Sequence, residues 1–398
     1  MTEERSAKQE WASNWALVLT SLVGVSLGTI GIYSAGLFVA PLEAEFGWTR
    51  SQVTSGLLIY SLIAVPLSPF VGMAIDRWGA RSLAIPGSIA TGLTFAGFAL
   101  TNGSAVIWWT TWALFSLAAL TVKTTVWATA VAAVFKRGRG LALAVALSGT
   151  GLASAVIPML AQHLISDFGW RTAYVAIGLG WAVITALPSY FFFVDVRGST
   201  TDGPRPDVPG LVFREAIRLR SFQQLWVVVL LGSLLLVGMT VHLVPILSSL
   251  GFDRGRAAAI AGVFGIATVT GKLVSGFVFD RWSPKLAAAI FQALPILACA
   301  LLLQAKVDTY SAIAAVFLIG YSSGAALTMA SFLTAKLVGL KAYGMNFSIM
   351  ASIFALAAGV GPLLCSIAFD WDHSYRPVLL VGLGVPAICS LLLARIKL

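Results

Sequence analysis

Long apolar runs, most of them about 20 residues or more, alternate with short polar connections from residue 15 to residue 394 of this chain. A run of that length crosses the hydrocarbon core of a bilayer as an α-helix, which rises roughly 1.5 Å per residue. Lipid leaves no other partner for the backbone, so only helices and closed barrels span it, and continuous runs are typical of helices. The pattern predicts an all-α membrane protein.

Twelve such runs can be delimited, and the longest polar stretch, residues 195–220, divides them into two groups of six. The predicted spans are residues 15–42, 51–74, 82–101, 105–134, 141–164, 172–194, 223–248, 256–279, 285–304, 309–334, 344–369 and 376–394. We expect an N-terminal six-helix bundle over residues 1–194, a cytoplasmic linker over 195–222 and a C-terminal six-helix bundle over 223–398.

Basic residues are distributed unevenly between the connections on the two sides of the predicted bundle. Of the 26 Lys and Arg residues, 18 lie at the termini and in the even-numbered connections, whereas six lie on the opposite side. Because basic connections stay in the cytoplasm, both termini are predicted to be cytoplasmic. The net charge of +10 therefore reflects membrane topology and not nucleic-acid binding. The short connections favour a prokaryotic inner membrane.

The two remaining basic residues, Lys123 and Lys272, lie inside apolar spans, whereas every Asp and Glu can be placed outside the spans. A cation in hydrocarbon costs roughly 2.5–3.5 kcal/mol on insertion scales, so it usually faces water or an opposite charge. Lys272 lies about 12 Å along a helix from Asp280, and Lys123 is farther from its span end, which is too far to reach the interface easily. We predict that both lysines face a cavity and bind an anion that arrives and leaves.

Four sequence features recur at a nearly constant offset, which indicates two related halves. Residues 46–50 and 250–254 precede the second and eighth spans, and residues 72–81 and 276–285 follow them, each 204 positions apart. The other two pairs are Arg137-x-x-Gly140 with Lys341-x-x-Gly344 and Trp170-Arg171 with Tyr375-Arg376. Parallel repeats of six spans are typical of two-bundle transporters with a site near the membrane midplane.

The ten residues 72–81, GMAIDRWGAR, resemble the signature loop of the major facilitator superfamily, and residues 276–285 resemble a degenerate second copy with Ser283-Pro284 in place of Gly-x. The resemblance covers the whole chain and implies twelve transmembrane helices in two pseudo-symmetric six-helix bundles. We predict that the charged residues of both loops act in gating and do not contact substrate. They are Asp76, Arg77, Arg81, Asp280 and Arg281.

Shorter segments resemble the monocarboxylate and oxalate–formate carriers of that superfamily. They are residues 45–50, 148–151 with Pro158, 168–171, and His242-x-x-Pro245. Residues 271–276, GKLVSG, are similar to the Gly-Arg-x-x-x-Gly of that branch, which implies that the substrate carboxylate binds Lys272. The chain departs from the branch in three ways: Lys272 replaces the arginine, the cation that oxalate exchangers have in span eleven is missing, and so is the span-one lysine of animal monocarboxylate carriers. Lys123 is the second cation here, so neither the size nor the charge of the substrate can be inferred from these relatives.

Three further residues are predicted to contact the substrate. His242 lies in the middle of a span, where it can titrate near physiological pH or serve as a hydrogen-bonded helix contact. Tyr33 and Tyr321 are hydroxyl donors at plausible depth, although aromatic residues are common in any span. Gly24, Gly28, Gly149 and Gly151 are instead predicted to permit close helix packing.

The sequence predicts a secondary carrier of small organic carboxylates, monocarboxylate-type, that works by alternating access and is proton-linked. One alternative is a carboxylate anion exchanger. Another is an exporter of drugs or neutral solutes with the same fold, which would be expected to have acidic residues inside its membrane spans. The sequence contains no nucleotide-binding loop, and its three histidines assemble no catalytic or metal cluster, so we predict neither an enzyme nor a cofactor. The expected partners are the anion, protons and lipid, with no obligatory protein partner.

Overall fold

The computed structural model describes residues 7–135, 139–193, 211, 213–339 and 343–397, and almost all of them are helical. The helices are α1 (Ala7–Leu27), α2 (Ile30–Phe46), α3 (Arg50–Trp78), α4 (Ala80–Ala96), α5 (Ala105–Leu120), α6 (Thr124–Val134), α7 (Arg139–Leu147), α8 (Gly149–Phe192), α9 (Phe213–Ala216), α10 (Arg220–Val241), α11 (Leu243–Ser249), α12 (Arg254–Arg281), α13 (Pro284–Leu302), α14 (Thr309–Val338), α15 (Tyr343–Asp372) and α16 (Arg376–Ala394). A 3₁₀ turn follows α4 at Gly97–Leu100.

Among the described residues, 11 helical stretches are long and apolar enough to cross a membrane. One of them contains α8, whose 44 residues would extend about 66 Å if straight, roughly twice the thickness of the hydrocarbon core. The backbone of α8 turns at Gly169, where φ is 82°, a conformation that glycine adopts without strain. Counted as two spans, α8 brings the stretches into agreement with the twelve predicted. Large apolar side chains such as Leu100 and Phe191 are exposed on the outer faces, as a lipid-facing surface requires.

The helices pack as two bundles that meet along a few helix pairs. Helices α1 to α8 pack mostly with one another, as do α10 to α16. The bundles are joined by α3 with α15, α8 with α12, and α2 with α10 and α11. Most of the predicted linker lies outside the described residues, so its bounds remain a prediction.

The recurring segments 46–50 and 250–254 are matching turns that start α3 and α12. Gly47 and Gly251 both have positive φ. Thr49 then caps α3 by accepting from the backbone N–H of Gln52, and Asp253 caps α12 by accepting from that of Arg256, because the first amides of a helix lack partners within it. Arg50 and Arg254 are consequently the first residues of equivalent helices. We call this end of the molecule the Arg50 end and the opposite end the Arg77 end.

Glycines allow close approach at several of these contacts, as predicted. A Cβ at Gly24 would overlap the Trp127 ring, and one at Gly149 would overlap the carbonyl oxygen of Leu22. At the contact of α8 with α12, a Cβ at Gly151 would strike the side chain of Val269. Without a strong hydrophobic drive between helices in lipid, such close contact is what stabilises their association.

Candidate functional site

Among the described residues, four spans are interrupted within the bundles. The breaks lie between α1 and α2 at residues 28–29, between α5 and α6 at residues 121–123, between α7 and α8 at Ser148, and between α10 and α11 at His242. Broken spans at membrane depth are characteristic of substrate sites in carriers, where irregular backbone faces a cavity.

The break at His242 follows from Pro245. Proline has no N–H to donate to the carbonyl of Val241, four residues earlier, and its ring clashes with that carbonyl. The helix therefore ends at Val241, and α11 starts anew after His242. The freed Val241 carbonyl faces Gly36 of α2, at which a Cβ would overlap the carbonyl oxygen. The two halves thus touch backbone to backbone at this point.

Lys123 occupies the break between α5 and α6. It follows Thr121 and Val122, whose β-branched side chains disfavour a helix, and the amides of residues 121–123 bond three residues back instead of four. Lys123 is partly buried, and its Nζ donates to the hydroxyl of Ser68 on α3.

Lys272 lies within the unbroken α12 and is also partly buried. Its Nζ donates to the hydroxyl of Thr150 on α8, at 2.9 Å, across the contact between the two bundles. Among the described residues, no carboxylate lies within ion-pair distance of Lys272 or of Lys123. Both ammonium groups are therefore bonded to neutral hydroxyls.

The two lysines lie at similar depth, because Lys123 bonds to the residue that is the counterpart of Lys272 in the repeat. Ser68, the partner of Lys123, precedes Lys272 by 204 residues, which is the offset of the repeat. Ser68 and Lys272 are therefore counterparts on α3 and α12, which belong to opposite bundles. Ser68 and Thr150 were missed by the sequence analysis, although the repeat offset could have identified Ser68.

Tyr33 lies where four spans meet. With Ser154 of α8, Thr240 of α10 and Phe264 of α12, it lines a void of about 20 Å³, room for about one water molecule. The Ser154 hydroxyl donates to the carbonyl oxygen of Gly151, one turn back on α8, at 3.0 Å. Tyr33 therefore lies between the two bundles, and its contact with substrate stays a prediction.

Tyr321 has a different surrounding. Its ring packs against Phe291 of α13 and the exposed Phe317, while its backbone carbonyl lies against Gly271. The hydroxyl-bearing ring thus packs within the C-terminal bundle, and its predicted substrate contact remains untested.

His242 is fully buried and belongs to a polar network at the Arg50 end, not to the surroundings of Lys272. Its Nε2 lies 3.1 Å from the carbonyl oxygen of Pro362, and its Nδ1 lies 2.8 Å from the hydroxyl of Tyr375. Because a carbonyl only accepts, Nε2 carries the proton and Nδ1 accepts from Tyr375. Burial raises the pKa of the Tyr375 hydroxyl, which keeps it a donor.

Arg50 completes this network. Its guanidinium donates to Tyr375 at 2.6 Å, pairs with Glu43 at 3.0 Å and lies 3.4 Å from the centre of the Phe369 ring. The carboxylate of Asp370, on α15, accepts from the backbone amides of Arg50 and Ser51, which places a negative charge at the N-terminus of α3, where the helix dipole favours it.

These contacts close the Arg50 end, because Arg50, Ser51 and Glu43 belong to one bundle and their partners Phe369, Asp370 and Tyr375 to the other. We call this set the Arg50 network. Arg50 and Tyr375 are recognisable in the sequence as repeated residues, but no sequence signal indicates that they meet.

The residues predicted to gate lie at the Arg77 end. Arg77 packs near the ring of its neighbour Trp78, and Arg281 lies 3.8 Å from the centre of the Phe277 ring, one turn back on α12. Arg81 donates to the carbonyl of Tyr190 at 2.6 Å, within the N-terminal bundle. The side chains of Asp76 and Asp280 lie outside the described residues. The gating role of all five residues stays a prediction.

We expect Tyr375→Phe to destabilise the closed Arg50 end, because the lost hydroxyl accepts from a charged guanidinium and donates to a buried imidazole. A hydrogen bond to a charged group contributes roughly 1.5–3 kcal/mol, so the free energy of unfolding should fall by about 2 kcal/mol. Thermal unfolding in detergent measures the change. Tyr310→Phe, at a hydroxyl whose residue is 83% exposed, is the matched control, and an equal effect of both variants would contradict the network.

Comparison with known proteins identifies the family and the fold of this chain. The sequence model described as Major Facilitator Superfamily matches residues 21–362 and 243–396. Monocarboxylate transporter 11 of Mus musculus is 27% identical over 299 residues, covering 71% of this chain and 63% of that protein, so the chain spans less than two thirds of its length. The uncharacterized MFS-type transporter YhjX of Escherichia coli (strain K12) is 24% identical over 377 residues, covering 90% of this chain and 88% of that one.

A solved structure shares the fold. The crystal structure of the nucleoside transporter NupG superposes with a TM-score of 0.79 at 13% identity, covering 96% of this chain and 99% of that chain. At such low identity the likeness concerns the fold alone.

Proposed function

The chain belongs to the major facilitator superfamily, and from this membership and its central charges we propose that it is a secondary carrier of a small organic carboxylate. The observation that carries the proposal is the pair of partly buried lysines, each bonded to a hydroxyl and, within the described residues, to no carboxylate. Cations at membrane depth persist where they serve a charged substrate. The curated relatives include monocarboxylate transporters, which favours the same class.

In this proposal Lys272 is the principal anchor for the carboxylate. It lies at the contact of α8 with α12, where rocking of the bundles would expose it to either side in turn. Lys123 provides a second cation at similar depth in the other bundle, and Tyr33 borders the void between the two bundles. An ammonium is a point charge with rotatable donors, so it accepts carboxylates of varied geometry more readily than an arginine would.

Proton coupling would act through the Arg50 network. Protonation of His242 at Nδ1 would remove the acceptor of Tyr375 and add a positive charge near Arg50, which weakens closure of this end. Glu43, Asp370 and the Tyr375 hydroxyl are the other titratable groups in this network. We therefore prefer proton-linked transport over anion exchange. In an exchange mechanism, the carrier would reorient more easily with an anion bound to its lysines than with an empty cationic site.

The membrane arrangement proposed from the charge pattern places the Arg50 end outside and both termini in the cytoplasm of a prokaryotic inner membrane. In that arrangement, the conformation described here is closed to the outside.

Transport into proteoliposomes tests the proposal directly. Acetate, lactate, benzoate, oxalate and succinate are offered beside an amine and a neutral sugar, with either an imposed pH gradient or an internal counter-anion. We expect uptake of one carboxylate class, driven by an inward proton gradient. Uptake that ignores the gradient and requires the counter-anion would establish exchange. Uptake of the amine or sugar alone would overturn the carboxylate proposal and favour the exporter.

A further inference from the structure

A cavity of about 290 Å³ lies at the Arg50 end, between the two bundles. Arg50 and Arg254 both line it, and among the described residues its lining contains no Asp or Glu. Leu37 and Val244 border this cavity and also the small void beside Tyr33. The cavity, which we call the vestibule, is thus separated from the central void by two apolar side chains.

The two arginines of the vestibule are counterparts in the repeat but have different surroundings. Arg50 is engaged with Glu43 and Tyr375. The counterpart of Glu43, 204 residues on, is Leu247, so the C-terminal half lacks the acid that would hold Arg254. Arg254 is exposed, and no ion pair reaches it within the part of the chain that the structure describes.

Asp253, the acidic residue that precedes Arg254 in the sequence, contacts Arg256 instead. Asp253 accepts from the backbone amide of Arg256, at 2.9 Å, and lies 3.9 Å from its guanidinium. The Asp253 carboxylate therefore caps the N-terminus of α12 and lies near Arg256. It does not pair with the Arg254 guanidinium, which can bind a ligand.

Ser248 is the second polar group of the vestibule that lacks a partner. Its hydroxyl oxygen is buried, and among the described residues none hydrogen-bonds to it, although it lines the cavity. A buried hydroxyl without a partner is costly. Turned toward the cavity that its residue lines, the Ser248 hydroxyl can donate to an anion there.

We propose that the vestibule is an anion-binding site distinct from the lysine centre, in which Arg254 and Ser248 hold a small carboxylate before the Arg50 end opens. A guanidinium presents a planar fork that matches a carboxylate, and a cationic recess raises the local concentration of anions. That the ligand is the carboxylate being transported rests on the proposed function. The site itself rests on the cavity, Arg254 and Ser248.

A cysteine placed in the vestibule reports on it without transport. Ser249 is exposed and lines the cavity, whereas the native Cys299, Cys365 and Cys389 are buried. In Ser249→Cys, the rate of reaction with an anionic methanethiosulfonate is divided by that with a cationic one. We expect Arg254→Gln to lower this ratio about threefold or more. Arg376→Gln, at an exposed arginine at the same end but outside the lining, should leave it unchanged. Equal ratios in all three proteins would overturn the proposal.

The ligand is tested with lactate and with succinate at constant ionic strength. Either acid should slow the reaction of Ser249→Cys with neutral N-ethylmaleimide about twofold or more, and Arg254→Gln should abolish this protection. Protection should survive Lys272→Gln, in which the central site is impaired. Absence of protection, its persistence in Arg254→Gln or its loss in Lys272→Gln would each refute a separate vestibule site. Stabilisation of Arg254→Gln by the same acids, measured by thermal unfolding and compared with that of the double variant that also contains Lys272→Gln, decides independently whether the central site exists.

Discussion

Lys272→Gln should weaken carboxylate binding at least 30-fold and reduce uptake to near background. Removing one member of a buried charge pair costs roughly 2–5 kcal/mol, and about 2 kcal/mol corresponds to a factor of about 30 in the dissociation constant. Thermal unfolding in detergent measures the effect, because a ligand of the native state raises apparent stability according to its affinity. With the vestibule impaired by Arg254→Gln, the stabilisation that a carboxylate gives should disappear when Lys272→Gln is added.

Two matched variants make this result interpretable. Lys306→Gln removes the same charge from an exposed connection and should bind as the native protein does. Lys272→Arg keeps the charge and should retain binding with altered preference among carboxylates, since a guanidinium binds two oxygens in a fixed geometry. If a carboxylate stabilised Lys272→Gln as much as the native protein, the lysine would not be the anchor, and the exporter alternative would gain support.

Gly36→Ala should hold the Arg50 end open and slow transport at least tenfold while carboxylate binding persists. The added methyl group would overlap the carbonyl oxygen of Val241, which belongs to backbone and cannot turn aside as a side chain could. Overpacking of this kind costs roughly 1–3 kcal/mol, and about 1.4 kcal/mol shifts the equilibrium between open and closed states tenfold. We expect the closed conformation alone to bear this cost, since opening of the Arg50 end would separate α2 from α10.

A cysteine at Thr240 detects the opening, since Thr240 lines the void below the closed contact. An impermeant thiol reagent added on the Arg50 side should modify Thr240→Cys at least tenfold faster when Gly36→Ala is also present. The control is Gly384→Ala, at a helical glycine around which a Cβ would meet open space. Unchanged accessibility in the Gly36 variant would show that the backbone contact does not determine closure.

The spans, the repeat and the two lysines could be predicted because each depends on local composition or on spacing. A run of apolar residues is enough to identify a segment that lies in lipid. The apolar surroundings of Lys272 can likewise be inferred from its neighbours in the same helix. The charges flanking the spans likewise predict a topology. No such local signal reveals that Lys123 meets Ser68 or that Lys272 meets Thr150, because those partners lie 55 and 122 residues away.

The partners of His242 could not be predicted from the sequence. Its substrate or proton role stays a prediction, whereas its three hydrogen-bonding neighbours come from α15 and from Tyr375, which precedes α16. The break at His242 could have been expected from Pro245, but the direction of the imidazole depends on how the two bundles meet. The ring of Tyr321 is a similar case, since the face of a helix that meets a neighbour is decided by packing.

The hydroxyl partners of the two lysines have an electrical consequence. With both ammonium groups protonated and no carboxylate beside them among the described residues, the empty centre has a charge of about +2, a monoanion leaves about +1, and a dianion leaves it neutral. Moving one elementary charge across a membrane potential of 100 mV changes its electrical free energy by about 2.3 kcal/mol. The membrane voltage therefore acts on the return of the empty carrier in every case, and during uptake into a negative interior it opposes that return. It also acts on the loaded carrier when the substrate is a monoanion. Currents recorded from this protein would thus report the valence of its substrate together with any proton carried with it.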